Sequence, residues 1–92
     1  MGAGVTVDAG VQTLAKLATT SDERRREIFP YLLQHLQTCR PKDVPQHAEK
    51  IVIAVDTANR DEFIRTLEQR LPNMSASQTT RIRRVIKQAE KV

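Results

Sequence analysis

The sequence predicts an all-α fold of about five helices in antiparallel hairpins, and three observations carry that prediction. Apolar residues recur at spacings of three and four along five successive segments. Short runs of Ser, Thr, Asp, Asn and Pro, the residues that start and stop helices, separate those segments. The apolar fraction is 39%, and Phe29, Tyr31 and Phe63 are the only aromatic residues, so the core is built from Leu, Ile, Val and Ala. Such side chains fill the space between closely packed helices but would underfill a stand-alone β-sandwich of this length. At 92 residues the chain is one small domain or a piece of a larger array. Residues 1–6 are small and unpatterned and are expected to form a flexible leader, with a single helical domain over 7–92.

In the first segment, "DAGVQTLAKLA", Val11, Leu14, Ala15 and Ala18 share one helical face and Leu17 widens it. Asp8 is the expected N-cap, and Gly10 weakens the first turn. The second segment opens with Thr20 and Glu23 at capping-box spacing, and Asp22 and Glu23 suit the positive end of the helix dipole. Ile28, Leu32, Leu33 and Leu36 make its stripe, flanked by Phe29 or Tyr31. Pro30 lacks a donor and crowds the preceding turn, so a kink or a break near Phe29 is expected.

In the third segment Asp43 is the expected cap and Pro45 lies in the first turn. Val44, Ala48, Ile51, Val55 and Ala58 keep a 4,3,4,3 rhythm, while Val52, Ile53 and Ala54 widen the apolar surface. A buried helix over 44–58 follows from that rhythm, although "IVIAV" alone would suit a strand. The fourth segment takes Asn59 as cap, Asp61 and Glu62 as first-turn acids, Phe63, Ile64, Leu67 and Leu71 as its stripe, and Pro72 as its stop. The fifth has Ser75 and Gln78 at capping-box spacing and a narrow stripe of Ile82, Val85, Ile86 and Ala89.

Units 30–58 and 60–91 share one layout, a helix, a proline-bearing turn and a helix, which is a weak internal repeat of roughly 30 residues. From Val11 to the terminus the chain resembles bacterial HEAT-like helical-repeat proteins, and within them a C-terminal portion. The residues that carry the likeness are "IFPYLLQHLQTCRPKDVPQHAEK", the apolar segment after it, and "NRDEFIRTLEQRLPNMSASQTTRIRRVIKQ". Pro30 stands where such repeats open their first helix, and 44–58 corresponds to the inner helix. Asp43 and Asp56 are candidates for the signature turn aspartate, without the matching downstream arginine in the second unit. The resemblance implies an α–α superhelix whose last helix is a terminal cap. It also implies a protein-binding or scaffolding surface rather than an enzyme. Some HEAT-like proteins are DNA-repair enzymes with a basic concave surface, but their tryptophan and catalytic aspartate context has no match here.

The formal charge of +4 and pI near 9.7 are mildly basic. They favour an anionic partner without making a nucleic-acid stripe. One cysteine makes no internal disulfide, which suits a reducing compartment and a cytoplasmic location. No apolar run reaches the roughly 20 residues of a membrane span. The start "MGAGVTV" has no charged n-region. Gly2 and Thr6 satisfy a loose myristoylation pattern, which is set aside because no second membrane signal stands near it.

Chemistry-bearing residues concentrate in "TCRPKDVPQHAEK", residues 38–50. His35 and Cys39 stand at i and i+4, and His47 adds a third possible donor. With no CxxC, HExxH or second cysteine, the expectation is no metal and no cofactor, with Cys39 a small hydrophobe and His35 at the core edge. A Cys39–His47 nucleophilic pair lacks an orienting group and oxyanion donors in the sequence. The three glycines all precede Val11, which leaves no phosphate-cradling loop. The carboxylate pairs Asp22/Glu23 and Asp61/Glu62 are explained by the dipole, so no catalytic residue is expected. Arg24–Arg26 read as an exposed helix face.

Two surfaces remain as binding candidates. One is the proline-held turn patch of Arg40, Lys42, Gln46, His47 and Lys50, expected to meet another protein or an adjoining repeat segment. The other is the basic side of the last helix, Arg81, Arg83, Arg84, Lys87 and Lys91, which would contact nucleic-acid phosphates. No aromatic lies among these cations to stack on bases, and Glu90 interrupts them. The expected function is therefore a non-enzymatic module for protein–protein interaction, with nucleic-acid binding as the alternative.

Overall fold

The computed structural model describes residues 7–92, and the leader expected at 1–6 lies outside them. Among the described residues there are five α-helices and no strand: α1 (Val7–Ala18), α2 (Asp22–Thr38), α3 (Val44–Ile51), α4 (Arg60–Arg70) and α5 (Ala76–Glu90). Single 3-10 turns occupy Pro41–Asp43, Val52–Ala54 and Leu71–Asn73. None of these helices is long and apolar enough to cross a membrane.

The helices pack in two layers. α2 lies against α4, α3 lies against α5, and α1 covers both α2 and α3. The principal extents are 38 × 35 × 16 Å. Two helices at an interaxial distance of 8–10 Å, each adding a Cα radius of about 2.3 Å, span about 13–15 Å, so the short dimension is two helices deep. The core between the layers is aliphatic, with Ala15, Leu32, Leu36, Val44, Ile51, Leu67, Ile82 and Val85 essentially excluded from water. Phe63 is fully buried and meets Phe29 with ring centroids 6.1 Å apart at 58°, a tilted aromatic pair.

Several local expectations are corrected. α1 is already helical at Val7, ahead of the proposed Asp8 cap. Leu14 and Leu17 do not enter the core and are each 38% exposed on its flank. Ser21 rather than Thr20 caps α2, accepting from the Arg24 N–H at 3.1 Å. Thr20 instead donates its hydroxyl to the Leu17 carbonyl at 2.7 Å, closing α1. α2 continues through Pro30, because Phe29 on one side of the ring and Leu32, Leu33 and Leu36 on the other all dock on the same core. The helix keeps its path at the cost of one missing donor to the Arg26 carbonyl. Tyr31 points to solvent and flanks no stripe.

The buried helix expected over 44–58 stops at Ile51. A 3-10 turn follows, and Val55 is extended at φ −75°, ψ 135°. Three β-branched residues in succession from Ile51 to Ile53 weaken helix continuation. Val55 stays buried, whereas Ile53 and Ala58 face water. Asp43 does not cap α3 with its side chain; its carboxylate accepts from Arg40 Nε at 3.2 Å. The start of α4 is likewise organised one turn early. Asp56 Oδ1 accepts from the N–H groups of Ala58 and Asn59, and Asn59 Oδ1 accepts from the Asp56 N–H at 2.8 Å. That reciprocal arrangement has the logic of a capping box, with Asp56 where Asn59 was expected. At α5 the Ser75/Gln78 capping box forms as expected.

Candidate functional site

His35 lies on the last turn of α2 and Cys39 caps that helix four residues on, with its backbone N–H bonded to the His35 carbonyl. His47 projects from the second turn of α3 after a proline-bounded link that brings the start of α3 back against the end of α2. His35 Nε2 and His47 Nδ1 share a hydrogen bond of 2.7 Å, with ring centroids 4.8 Å apart. Cys39 Sγ completes the group: the three donor atoms all lie within 4.8 Å of one another. Burial increases inward, from half-buried His35 and Cys39 to His47 at 3% exposure.

The electrostatics come from groups around the cluster. Burial first, then the charge His47 would carry, holds the His35 imidazole below its ordinary value, opposed by Asp43. Burial pushes the Cys39 thiol up; Arg70 opposes it, Asp43 adds to it, and a backbone hydrogen bond again opposes it. A thiol held in that direction is no activated nucleophile at neutral pH, where attack requires the thiolate. Arg70, at the end of α4, donates to the carbonyls of Leu36 (3.2 Å), Gln37 (2.5 Å) and Cys39 (2.7 Å). It closes the C-terminal end of α2, where helix carbonyls lack partners. Neither Asp43 nor Arg70 was singled out for this cluster from sequence; Arg70 is 31 residues from Cys39, and only the fold joins them.

The turn patch is only partly a surface. Arg40, Lys42 and Gln46 are exposed and Lys50 is half-buried, but His47 is withdrawn into the cluster with His35. A helix places position 47 inward beside Ala48 and Ile51, so His47 is removed from the patch. On α5, Arg81 makes a two-pronged bond to Glu49 of α3 at 2.7 and 3.0 Å. Arg81 is thereby committed to joining two helices. Arg83, Arg84, Lys87 and Lys91 are exposed on the side turned away from Ile82, Val85 and Ala89, and no ion pair is recorded for these four among the described residues.

Between α2 and the start of α4 lies a groove of about 480 Å³, with Phe29, Pro30, Leu33 and Ala58 beside Arg26 and Gln34 in its lining. Arg25 ties its two sides together through Asp56 at 3.3 Å. Sequence reasoning missed this feature because its walls come from segments far apart in the chain.

No protein-family model, curated protein or solved structure matches the chain.

Proposed function

We propose that the chain is a HEAT-like helical-repeat module that binds another protein through a helical hairpin seated on α1. The observation that carries this reading is the order of packing, with α2 on α4 and α3 on α5. Contacts of α2 with α4 and of α3 with α5 are those that stacking an α2–α3 hairpin on an α4–α5 hairpin would make in a helical repeat. The two ends of the stack differ in chemistry. At one end α1 leaves Leu14 and Leu17 partly exposed on its flank, and at the other α5 presents four cations. Stacks extend over apolar edges and end on polar ones, so α1 is the edge at which an amphipathic partner gains burial.

The test places a photo-crosslinking residue at Leu17 in one variant and at Lys87 in another, within cells. The expected result is a discrete protein adduct from the Leu17 position only. The identified partner, once purified, should bind the native chain at least about tenfold more tightly than Leu14→Glu, since one or two kcal/mol of apolar burial separates them. Adducts forming equally from both positions, or an unchanged affinity in Leu14→Glu, would sink the reading.

A second reading rests on the four exposed cations Arg83, Arg84, Lys87 and Lys91. If they contact phosphates, labelled double- or single-stranded DNA should bind with an affinity that falls steeply with salt. Four contacts give a slope of log K against log salt of about −3.6 for duplex DNA. Arg84→Ala/Lys87→Ala should reduce that slope by about 1.8. Absence of binding at low salt removes this reading and leaves the protein-binding one in place.

A further inference from the structure

We infer that His35, Cys39 and His47 form a site for a borderline divalent cation of the zinc type, with three protein donors and one exchangeable position. The inference goes beyond the interaction reading and does not depend on it. Imidazole nitrogen and thiolate sulfur are both donors that zinc takes, and here two imidazoles and a thiol converge from the end of α2 and from α3, with His47 buried. His35 on α2 and Cys39 at its C-cap supply two donors, and α3 supplies the third from across the turn.

The geometry is close to that of a filled site. Metal–nitrogen bonds of about 2.0–2.1 Å and a metal–sulfur bond of about 2.3 Å, at tetrahedral angles, put the nitrogens about 3.3 Å apart and the sulfur about 3.6 Å from each. His35 Nε2 and His47 Nδ1 stand 2.7 Å apart, so the rings must part by roughly 0.6 Å. Cys39 Sγ lies within 4.8 Å of both and also makes a 4.0 Å contact to the Leu36 carbonyl, at the limit of a sulfur hydrogen bond. A filled site requires Sγ to move in to about 3.6 Å from each nitrogen. Coordination expels the thiol proton to solvent and moves the proton shared by the rings to the far nitrogen of the ring that carries it. No oxidant or reductant is involved. His35 and Cys39 are half-exposed, and water is the natural occupant of the fourth position. Asp43 and Arg70 flank the site with opposite charges.

The test titrates chelator-treated protein with zinc chloride by calorimetry, with cobalt(II) as the spectroscopic probe. The expected result is one ion per chain with a dissociation constant on the order of 1 μM or tighter. Cobalt should produce a thiolate charge-transfer band that is absent in Cys39→Ser. Loss of an outer partner of a metal site weakens binding by about 10–100-fold, so loss of a direct ligand in His35→Gln or Cys39→Ser should cost about 100-fold or more. At free zinc one hundred times that constant, the folded-to-unfolded ratio should rise about 100-fold. If His47→Gln does not fold, the half-buried variants His35→Gln and Cys39→Ser carry the test. The inference is overturned if folded protein takes up no stoichiometric zinc at roughly 1 mM, or if the variants bind as tightly as the native chain, which would mark surface association only.

Discussion

Arg70 illustrates how much one side chain contributes when its partners come from elsewhere in the chain. Its guanidinium meets three carbonyls at the end of α2, an arrangement in which a planar fork outperforms a point charge. Arg70→Ala should lower unfolding stability by about 1.5–3 kcal/mol, the usual worth of hydrogen bonds to a charged group, and Arg70→Lys should recover only part of it. A urea midpoint for Arg70→Ala equal to the native one would remove the clasp from the account. From sequence, Arg70 is one more basic residue in a last turn, where the helix dipole already explains it. The same blindness applies to His47. Its type and spacing were legible, but its inward direction depends on α3 docking through Val44, Ala48 and Ile51.

At the scale of elements, the apolar rhythm located all five helices, and the capping box of α5 was readable as written. The errors fell where two local preferences compete. Pro30 argued for a break, yet packing on both sides of it holds α2 in one piece. The long rhythm of 44–58 argued for one helix, yet successive β-branched residues and the cap built around Asp56 end it early. Because the ring of Pro30 is exposed and the surrounding helix is intact, Pro30→Ala restores the donor to the Arg26 carbonyl without disturbing the core. It should stabilise the protein by about 1–3 kcal/mol, up to the full interior penalty of proline. A lowered thermal midpoint in this variant would mean that the ring contributes packing in the groove that outweighs the lost donor.

For the whole molecule, the join between α3 and α5 sets part of the acid limb of stability. The Arg81 hydrogen bonds, followed by the charges of Arg81 and Arg84, hold the Glu49 carboxyl below its ordinary value of 4.5. A carboxyl depressed in the folded state stabilises it above the unfolded value, and the contribution is lost as pH falls through the folded value. The window therefore lies below pH 4.5. Both side chains are nearly half exposed, so the contribution is at most about 1 kcal/mol. Glu49→Gln should flatten the pH dependence of the urea midpoint in that window, and an unchanged slope would show that the pair contributes nothing in solution. The overall class was legible because periodicity is a local property. The layering and the groove were not, since each joins residues that the sequence keeps apart; His35, Cys39 and His47 were grouped by spacing as possible donors, but their contact depends on how α3 docks.

The Arg70 clasp also couples motions. The final turn of α2 and the final turn of α4 are ends of different helices, and helix ends ordinarily fray one by one. Here the terminal carbonyls of one are held by a side chain rooted in the other, so neither turn opens without releasing the same three bonds. Their amide protons should exchange with deuterium as a single unit, at one shared opening free energy.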